Sequence, residues 1–291
     1  MKAVLKIILS IAVISSGIYG FLLYENNRAA DRPGREKLSQ SYEKAVAWLL
    51  NHRQEILMDA NPALWSMLGE SASISGDERV KKLYEEFRQD YDRSFPYSIW
   101  QAYFHPEQFR NAKFSASEYI ALVEYQQYFL YGLTCSEQLA KEPFIRAQHS
   151  PGFCWSGSRT IRPACVTHQL MAFEMIKRNG CGVMDIDAKI SALQDTIEKQ
   201  LTYDPRVVDV YLQRVLMLVE SGARNRVKSR WLRRVIDAQR EDGGWSDVQP
   251  LVVLGGGRNL GFGANGFTFA NPASNFHATA QGVLLMSLLK E

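Results

Sequence analysis

His168, Asp209 and His277 are the residues whose types and spacing best suit chemistry in this sequence. Each stands at the start of an apolar segment with helical spacing, in HQLMAFEMI, DVYLQRVLML and HATAQGVLLM. If these segments start at one end of the fold, two imidazoles and one carboxylate converge there. Such a set can bind a divalent metal such as zinc and leave one position open for water or substrate. The alternatives are a metal-free polar cleft and three polar residues that only cap their helices.

The segments that carry these residues alternate with segments of another kind. Three apolar segments span 167–180, 207–222 and 276–289, and amphipathic segments span 187–201 and 227–244. The alternation has a period of about 40 residues, which is typical of helical-hairpin repeats. Earlier helices are expected at 41–57, 79–91 and 115–133, and only the short LVVL at 251–254 reads as a strand. Because helices that are apolar all round must be enclosed, the pattern predicts an all-α fold of inner helices covered by outer ones.

The stretch WLRRVIDAQREDGGWSD (231–247) ends one of the amphipathic helices in a distinctive way. A double glycine after Asp242 can close the helix in the left-handed conformation. Trp245 is then expected to fold back against the neighbouring hairpin, while Gln239 binds backbone groups freed at the helix end.

This stretch resembles the QW motif of the terpenoid cyclases, through Trp231, Leu232, Gln239, Gly243 and Trp245. That superfamily includes the protein prenyltransferases and other α/α-toroid proteins. The resemblance implies an α/α toroid, in which a ring of inner helices is enclosed by outer helices. It supports the fold and does not by itself transfer an activity.

The three candidate residues also resemble part of the zinc site of protein prenyltransferases. That site takes an Asp-x-Cys at one inner-helix start and a His at a later one, and Asp209 and His277 match two of these positions. Tyr211 stands where the family has cysteine, and tyrosine is a poor zinc ligand, so prenyl transfer is not expected. In a zinc site here, His168 would supply the third ligand from another helix.

The N-terminus is separate from the repeats. A basic start is followed by an uncharged, mostly apolar run from Ile7 to Tyr24, which reaches the lower limit for a membrane-spanning helix. We expect a signal-anchor at 1–24, a polar linker at 25–38 and the toroid domain at 39–291. A cleaved signal peptide is the alternative, because small residues follow a shorter apolar core at Ser15-Ser16-Gly17.

The four cysteines fall within one stretch, at Cys135, Cys154, Cys165 and Cys181, and form no CxxC pair. In an exported chain this favours two disulfides, for which three connectivities exist. We prefer Cys154–Cys165 with Cys135–Cys181. Buried free thiols and a metal site are the alternatives. Disulfides would place the domain in an oxidising compartment, which we expect to be the periplasm, behind a single inner-membrane span.

Two further segments bear on a central cleft. The glycine-rich segment 255–275 reads as a mobile loop, either a surface insertion or a lid that carries Phe262, Phe267 and Phe269 over the cavity mouth. Aromatic residues are concentrated near Trp100 and Tyr125, where they either belong to the core or line a cavity suited to an isoprenoid or a sugar ring.

Composition limits the function. The chain has 46% hydrophobic and 22% charged residues and a net charge of +3, to which Lys2 and Lys6 contribute at the extreme N-terminus. Without a basic stripe we expect no nucleic-acid partner. We expect a membrane-anchored domain that binds a hydrophobic, lipid-linked or glycan ligand, or an envelope partner, without catalysis. The alternative is a metal-dependent hydrolase or transferase that uses His168, Asp209 and His277.

Overall fold

The computed structural model describes residues 2–155, 162–255 and 258–290. It is mostly helical, as the sequence predicts, with one small antiparallel sheet in the order β1-β2-β3. The helices are α1 (Lys2–Asn27), α2 (Arg35–Asn51), α3 (Arg53–Ile56), α4 (Pro62–Ser75), α5 (Glu78–Ser94), α6 (Ala116–Tyr119), α7 (Glu124–Thr134), α8 (Glu137–Ala140), α9 (Pro143–Gln148), α10 (Cys165–Arg178), α11 (Ile186–Tyr203), α12 (Asp209–Glu220), α13 (Ser229–Asp237) and α14 (Phe276–Lys290). The strands are β1 (Gln249–Gly255), β2 (Arg258–Gly263) and β3 (Gly266–Phe269).

Helices α12 and α14 are buried around nearly their whole circumference. In α12 every residue from Val210 to Val219 is buried, and in α14 most residues from Phe276 to Leu289 are buried. By contrast, α5 buries only Val80, Leu83, Phe87 and Tyr91, which share one face at helical spacing. The apolar segments therefore form the inside of the domain, and the amphipathic ones cover it.

The inner helices contact one another in pairs. Helix α4 packs against α14, α14 against α12, α12 against α10, and α10 against α7. A short 3-10 turn at Ile99–Tyr103 contacts both α7 and α4. On the outside, α2 packs against α14, α5 against α4, and α11 against both α10 and α12.

The turn after α13 joins that helix to α14. Trp245 donates its indole N–H to the carbonyl of Val235, 2.8 Å away, and its ring lies against Gly282. Gln239 donates to the carbonyl oxygens of Ser41 and Gly243, each at 2.8 Å. The contacts of Trp245 confirm its predicted role, whereas Gln239 binds a carbonyl of α2 and one of the turn instead of groups freed at the end of α13. The predicted helix end was wrong, because α13 already stops at Asp237.

Gly243 is required in this turn by both conformation and space. Its φ of 96° lies in the left-handed region, which side chains rarely adopt. A Cβ at this position would lie 2.3 Å from the carbonyl oxygen of Lys44. The glycine therefore lets the turn lie directly on α2.

Helix α1 reaches beyond the predicted anchor to Asn27, and α2 starts within the predicted linker, at Arg35. The buried Asn26 side chain donates to the carbonyl of Leu201 at 2.6 Å and accepts from the Tyr211 hydroxyl at 2.9 Å. Met1 and the side chains of residues 2–5, 7 and 8, which belong to the predicted anchor, lie outside the described residues. Within the part of the chain that is described, no helix combines the length and hydropathy needed to cross a bilayer.

Both preferred disulfides are present, Cys135–Cys181 and Cys154–Cys165. The first joins the end of α7 to the turn after α10, and the second joins a 3-10 turn to the start of α10. All four cysteines are thereby used, which excludes the free-thiol and cysteine-metal alternatives. Since such bonds persist in oxidising surroundings, they indicate a compartment outside the cytoplasm.

The glycine-rich segment forms part of the sheet, which corrects the expectation of a loop. Strand β1 pairs with β2, and β2 with β3, over Gln249–Phe269, although residues 256 and 257 lie outside the described chain. The sheet is attached to the helices by Arg206, whose guanidinium donates to the carbonyls of Gly263 and Ala264 at 3.3 and 3.0 Å.

Candidate functional site

The three candidate residues lie at one end of the domain, at the starts of α10, α12 and α14. Nδ1 of His277 is 3.5 Å from Oδ2 of Asp209. His168 and His277 line the same cavity, whereas Asp209 lines a neighbouring, larger one of 880 Å³ between α12, α13 and the turn at Trp245. The Asp209–His277 pair therefore stands between two cavities. As predicted, the starts of α10, α12 and α14 bring these three residues near one another.

The cavity that holds both histidines has a volume of 370 Å³, within the range of small-molecule sites of about 300–1,000 Å³. Aromatic rings, carboxamides and methionines dominate its wall, and no Asp, Glu, Lys or Arg is among the described residues that line it. The lining residues are Ala60, Asn61, Pro62, Ala63, Leu64, Met67, Trp100, Tyr103, Tyr125, Gln126, Phe129, His168, Met171, Gln213, His277 and Gln281.

His168 is held between aromatic rings. It stacks on Tyr125, with ring centroids 4.3 Å apart, and meets Phe129 edge-on at 5.8 Å. Burial lowers its pKa to about 4, and the nearby His277 adds to this effect while Asp209 opposes it. The imidazole is therefore uncharged at neutral pH and offers one hydrogen-bond donor and one acceptor. Tyr103 is uncharged as well, since a tyrosine hydroxyl titrates near 10 and burial raises the pKa of this one further.

Carboxamides complete the polar part of the wall. Gln281 places Nε2 at 3.2 Å from Nε2 of His277. Gln213 accepts a hydrogen bond of 2.7 Å from the Thr167 hydroxyl. Neither glutamine was predicted from sequence, although a signal exists. Each follows a predicted site residue, Asp209 or His277, by four positions, which is one helical turn on the same face.

The donor set does not suit a metal ion. Across residues 2–155, 162–255 and 258–290, no three His, Cys, Asp or Glu side chains come close enough to hold one. Tyr211, at the position where prenyltransferases have a cysteine ligand, directs its hydroxyl to Asn26 instead of the cavity. The described geometry therefore lends no support to zinc, and the assignment of His168, Asp209 and His277 as its ligands stays a prediction.

Two further observations bear on the site. Cys165, three residues before His168, is in a disulfide and so cannot act as a nucleophile beside it. Phe262, Phe267 and Phe269 are not among the described residues that line the cavity, so the sheet does not act as its lid here.

A third cavity, of 520 Å³, lies towards the other ends of the inner helices. It shares Ala63, Met67, Tyr103 and Met171 with the cavity of the two histidines, so these side chains separate the two spaces. It holds Glu70, Glu174 and Glu220 with Arg178. Burial raises the pKa of Glu220, and the charge of Glu70 raises it further. This cavity contains none of the predicted site residues.

Comparisons with known proteins give no match. No protein-family model matches the chain, and no curated protein or solved structure is significantly similar to it.

Proposed function

We propose that the domain is an α/α toroid that binds a ligand in a central cavity. The order of neighbours α4, α14, α12, α10 and α7, with the turn at Ile99–Tyr103 between α7 and α4, supports a closed ring of inner elements. Helices α2, α5, α11 and α13 would form the outer layer. The QW-like turn at Trp245 is consistent with this arrangement, because it ties an outer helix to an inner one.

We infer that the ligand is a neutral, ring-shaped molecule with hydroxyl groups, as a glycan unit is. The aromatic rings of Trp100, Tyr103, Tyr125 and Phe129 offer apolar faces to a sugar ring. Carboxamides and the uncharged imidazole of His168 offer donors and acceptors for hydroxyl groups. The absence of charged groups among the described lining residues favours a neutral ligand over a phosphate or a carboxylate.

The carbonyl oxygen of the Gln281 side chain carries this proposal. Gln281 is fully buried, yet its Oε1 has no hydrogen-bond partner among the described residues. Leaving a buried polar atom unpaired costs about 1–3 kcal/mol. Eleven buried side-chain atoms lack a partner among the described residues, and this is the one that belongs to a residue lining the cavity of His168 and His277. A ligand hydroxyl would supply the missing donor once the Gln281 side chain turns towards the cavity.

Substitution of Gln281 by Met tests this assignment, because Met keeps the length of the side chain and removes the unpaired acceptor. We expect the affinity of the full chain for its best ligand from a panel of neutral mono- and disaccharides to fall about tenfold. Thermal stability should stay unchanged or rise, since the unpaired oxygen is gone. Fluorescence titration is suitable, because Trp100 lines the cavity.

Gln89→Met is the matched control, on an exposed face of α5 away from the cavity. Unchanged saccharide affinity in Gln281→Met, or binding of an isoprenoid alcohol but of no saccharide, would contradict a glycan site.

We further propose that α1 anchors the domain to the inner membrane, with the domain in the periplasm. The uncharged run from Ile7 to Tyr24 supports this. Within it, Leu9, Ile11, Val13 and Ile14 are all more than half exposed, and no described part of the domain covers them. A helix that exposes this many apolar side chains is stable when they contact lipid or another apolar partner.

The alternative function is an enzyme that uses His168, Asp209 and His277. The contact between Asp209 and Nδ1 of His277 favours it, because a carboxylate in that position orients an imidazole for proton transfer. Two observations weigh against it. Nε2 of His277 faces Gln281, and a pKa of about 4 makes His168 a weak base at neutral pH.

Elemental analysis of the purified full chain tests the metal-dependent form of this alternative. One equivalent of zinc that is lost in His277→Ala would support the enzyme. A protein that binds saccharide while containing no zinc would discard it.

A further inference from the structure

One face of the small sheet is apolar and largely uncovered. In the register of the strands, Val252, Leu260 and Phe269 form one cross-strand row, and Phe262 and Phe267 form the next. Leu260 and Phe262 are two positions apart, as are Phe267 and Phe269, so all five side chains share one side of the sheet. Phe267 and Phe269 are 73% and 71% exposed. We call these five residues the apolar sheet face.

The sequence of this region lacks the charged residues that normally help to protect a sheet in water. Edge strands usually carry charged residues that keep them soluble and unpaired. Here the stretch 259–276 contains no charged residue at all. The apolar sheet face is thus suited to an apolar surrounding rather than to solvent.

The sheet lies beside the point where α1 leaves the domain. Arg206 binds the turn between β2 and β3. Three residues earlier, the carbonyl of Tyr203 accepts a 2.7 Å hydrogen bond from the hydroxyl of Tyr19 in α1. Both α1 and the sheet are therefore attached to the same end of α11. This is also the end with the cavity, because Gln249 of β1 accepts from the backbone N–H of Val207 just before α12.

The same region is rich in positive charge. Where α1 ends and meets α13, the basic side chains outnumber the carboxylates, Glu25 and Asp31. The basic residues are Arg28, Arg32, Lys228, Arg230, Arg233 and Arg234. Basic clusters next to a membrane helix attract anionic lipid headgroups, by about 1 kcal/mol per side chain. An apolar surface with basic residues nearby matches a bilayer in both polarity and charge.

We propose that the apolar sheet face docks on the lipid surface beside α1. This rests on the proposed anchor, since α1 would bring the sheet to the bilayer. Docking would hold the domain in one orientation, with the end that carries the cavity turned towards the membrane. A ligand carried on a lipid would then be within reach of His168 and His277.

Site-specific fluorescence on the full chain in vesicles of phosphatidylcholine and phosphatidylglycerol tests this docking. A polarity-sensitive dye is attached to the cysteine of the variant Phe267→Cys. Its thiol is the only reactive one, because all four native cysteines are in disulfides. We expect its emission to shift to shorter wavelength and to be lost when the lipids carry a quencher. Met184→Cys is the matched control, since this residue is 82% exposed and lies before the opposite end of α11. Its emission should not change.

A third label, at Ile14→Cys in α1, separates docking from anchoring. Quenching at 14 but not at 267 overturns the docking and leaves the anchor. Quenching at 267 but not at 14 supports the docking and overturns the anchor. Quenching at neither position overturns both. The same dye at position 267 is also tested in detergent, where light scattering measures whether the chain is a dimer. If the chain is dimeric and the dye is shielded from aqueous iodide, a second copy covers the apolar sheet face. That result would overturn lipid docking.

Discussion

The imidazole of His168 illustrates how position changes the properties of a single residue. In an unfolded chain it titrates near 6.5, whereas burial between Tyr125 and Phe129 lowers its pKa in the fold to about 4. Between these two pH values the unfolded chain binds more protons than the folded one. The contribution of His168 to stability is therefore complete above pH 6.5 and is lost as the pH falls to 4.

We predict that the free energy of unfolding decreases by roughly 3 kcal/mol through this one group as the pH falls from 7 to 4. In His168→Gln this part of the pH dependence should disappear, while other groups keep theirs, including His149, whose pKa is also lowered by burial. Urea unfolding at pH 7, 5.5 and 4.5 measures the difference. Parallel curves for the two proteins would show that His168 is not buried as described.

At the scale of elements, the start of α12 is fixed by a buried ionic cluster. Arg214 is 3% exposed and donates to Asp204 at 2.9 Å, and Arg206 binds the same carboxylate at 2.7 Å. Burial would raise the pKa of Asp204, but the hydrogen bonds and charges of Arg206 and Arg214 outweigh it and lower the pKa. This cluster connects the end of α11 to α12 and so supports the position of Asp209.

Asp204→Asn should destabilise the domain by about 3–5 kcal/mol, because the guanidinium of Arg214 stays buried without its counter-charge. The control is Asp90→Asn, which breaks the ion pair between Asp90 and Arg93. Because the Asp90 side chain is 66% exposed, this change should cost less than about 1 kcal/mol. Denaturant unfolding at pH 7 compares them. Equal losses in the two variants would mean that solvent reaches Arg214.

The packing of Trp245 between α13 and α14 requires that residue 282 has no side chain. A Cβ at Gly282 would lie 2.4 Å from Cζ3 of Trp245. We predict that Gly282→Ala costs about 1–3 kcal/mol, because the indole must move out of its packed position. Gly182→Ala is the control, since nothing lies within 4 Å of its Cβ position. A shift in melting temperature in Gly282→Ala alone, with reduced tryptophan emission change on unfolding, would agree with this account.

For the whole molecule, the sequence predicts the parts that depend on local pattern. The spacing of apolar residues predicts the apolar helices and where they start. It thereby also predicts that His168, Asp209 and His277 lie at one end of the domain, as the structure has them. The turn at Trp245 was predicted from its glycines, and both disulfide pairs from the clustering of the cysteines.

Features that depend on distant partners could not be predicted in this way. Helix α13 ends at Asp237 because the following residues bind α2, through Gln239 and Ser41. The predicted strand LVVL lies within β1, but β2 and β3 were missed because glycine gives β2 little strand character. Matching helix starts do not fix where side chains point, so the sequence could not predict that the described residues form no group of three metal ligands.

The two disulfides should stabilise the domain unequally, because they close loops of different length. Cys135 and Cys181 are 46 residues apart, and Cys154 and Cys165 only 11. Loop-closure entropy lost by the unfolded chain gives about 4 kcal/mol for the longer loop and about 3 kcal/mol for the shorter one. Replacing the first pair by alanines should therefore lower the free energy of unfolding by about 1 kcal/mol more than replacing the second.

Urea unfolding of the two double variants and the parent chain provides this comparison. Each pair has one fully or nearly buried member, Cys181 and Cys154, so the loss of packing is similar and loop length should decide the order. The reverse order would show that the short bridge does more than close a loop. The Cys154–Cys165 bridge would then also fix the start of α10 and the position of His168, three residues after Cys165. Saccharide binding should therefore weaken as well in the variant that lacks this bridge.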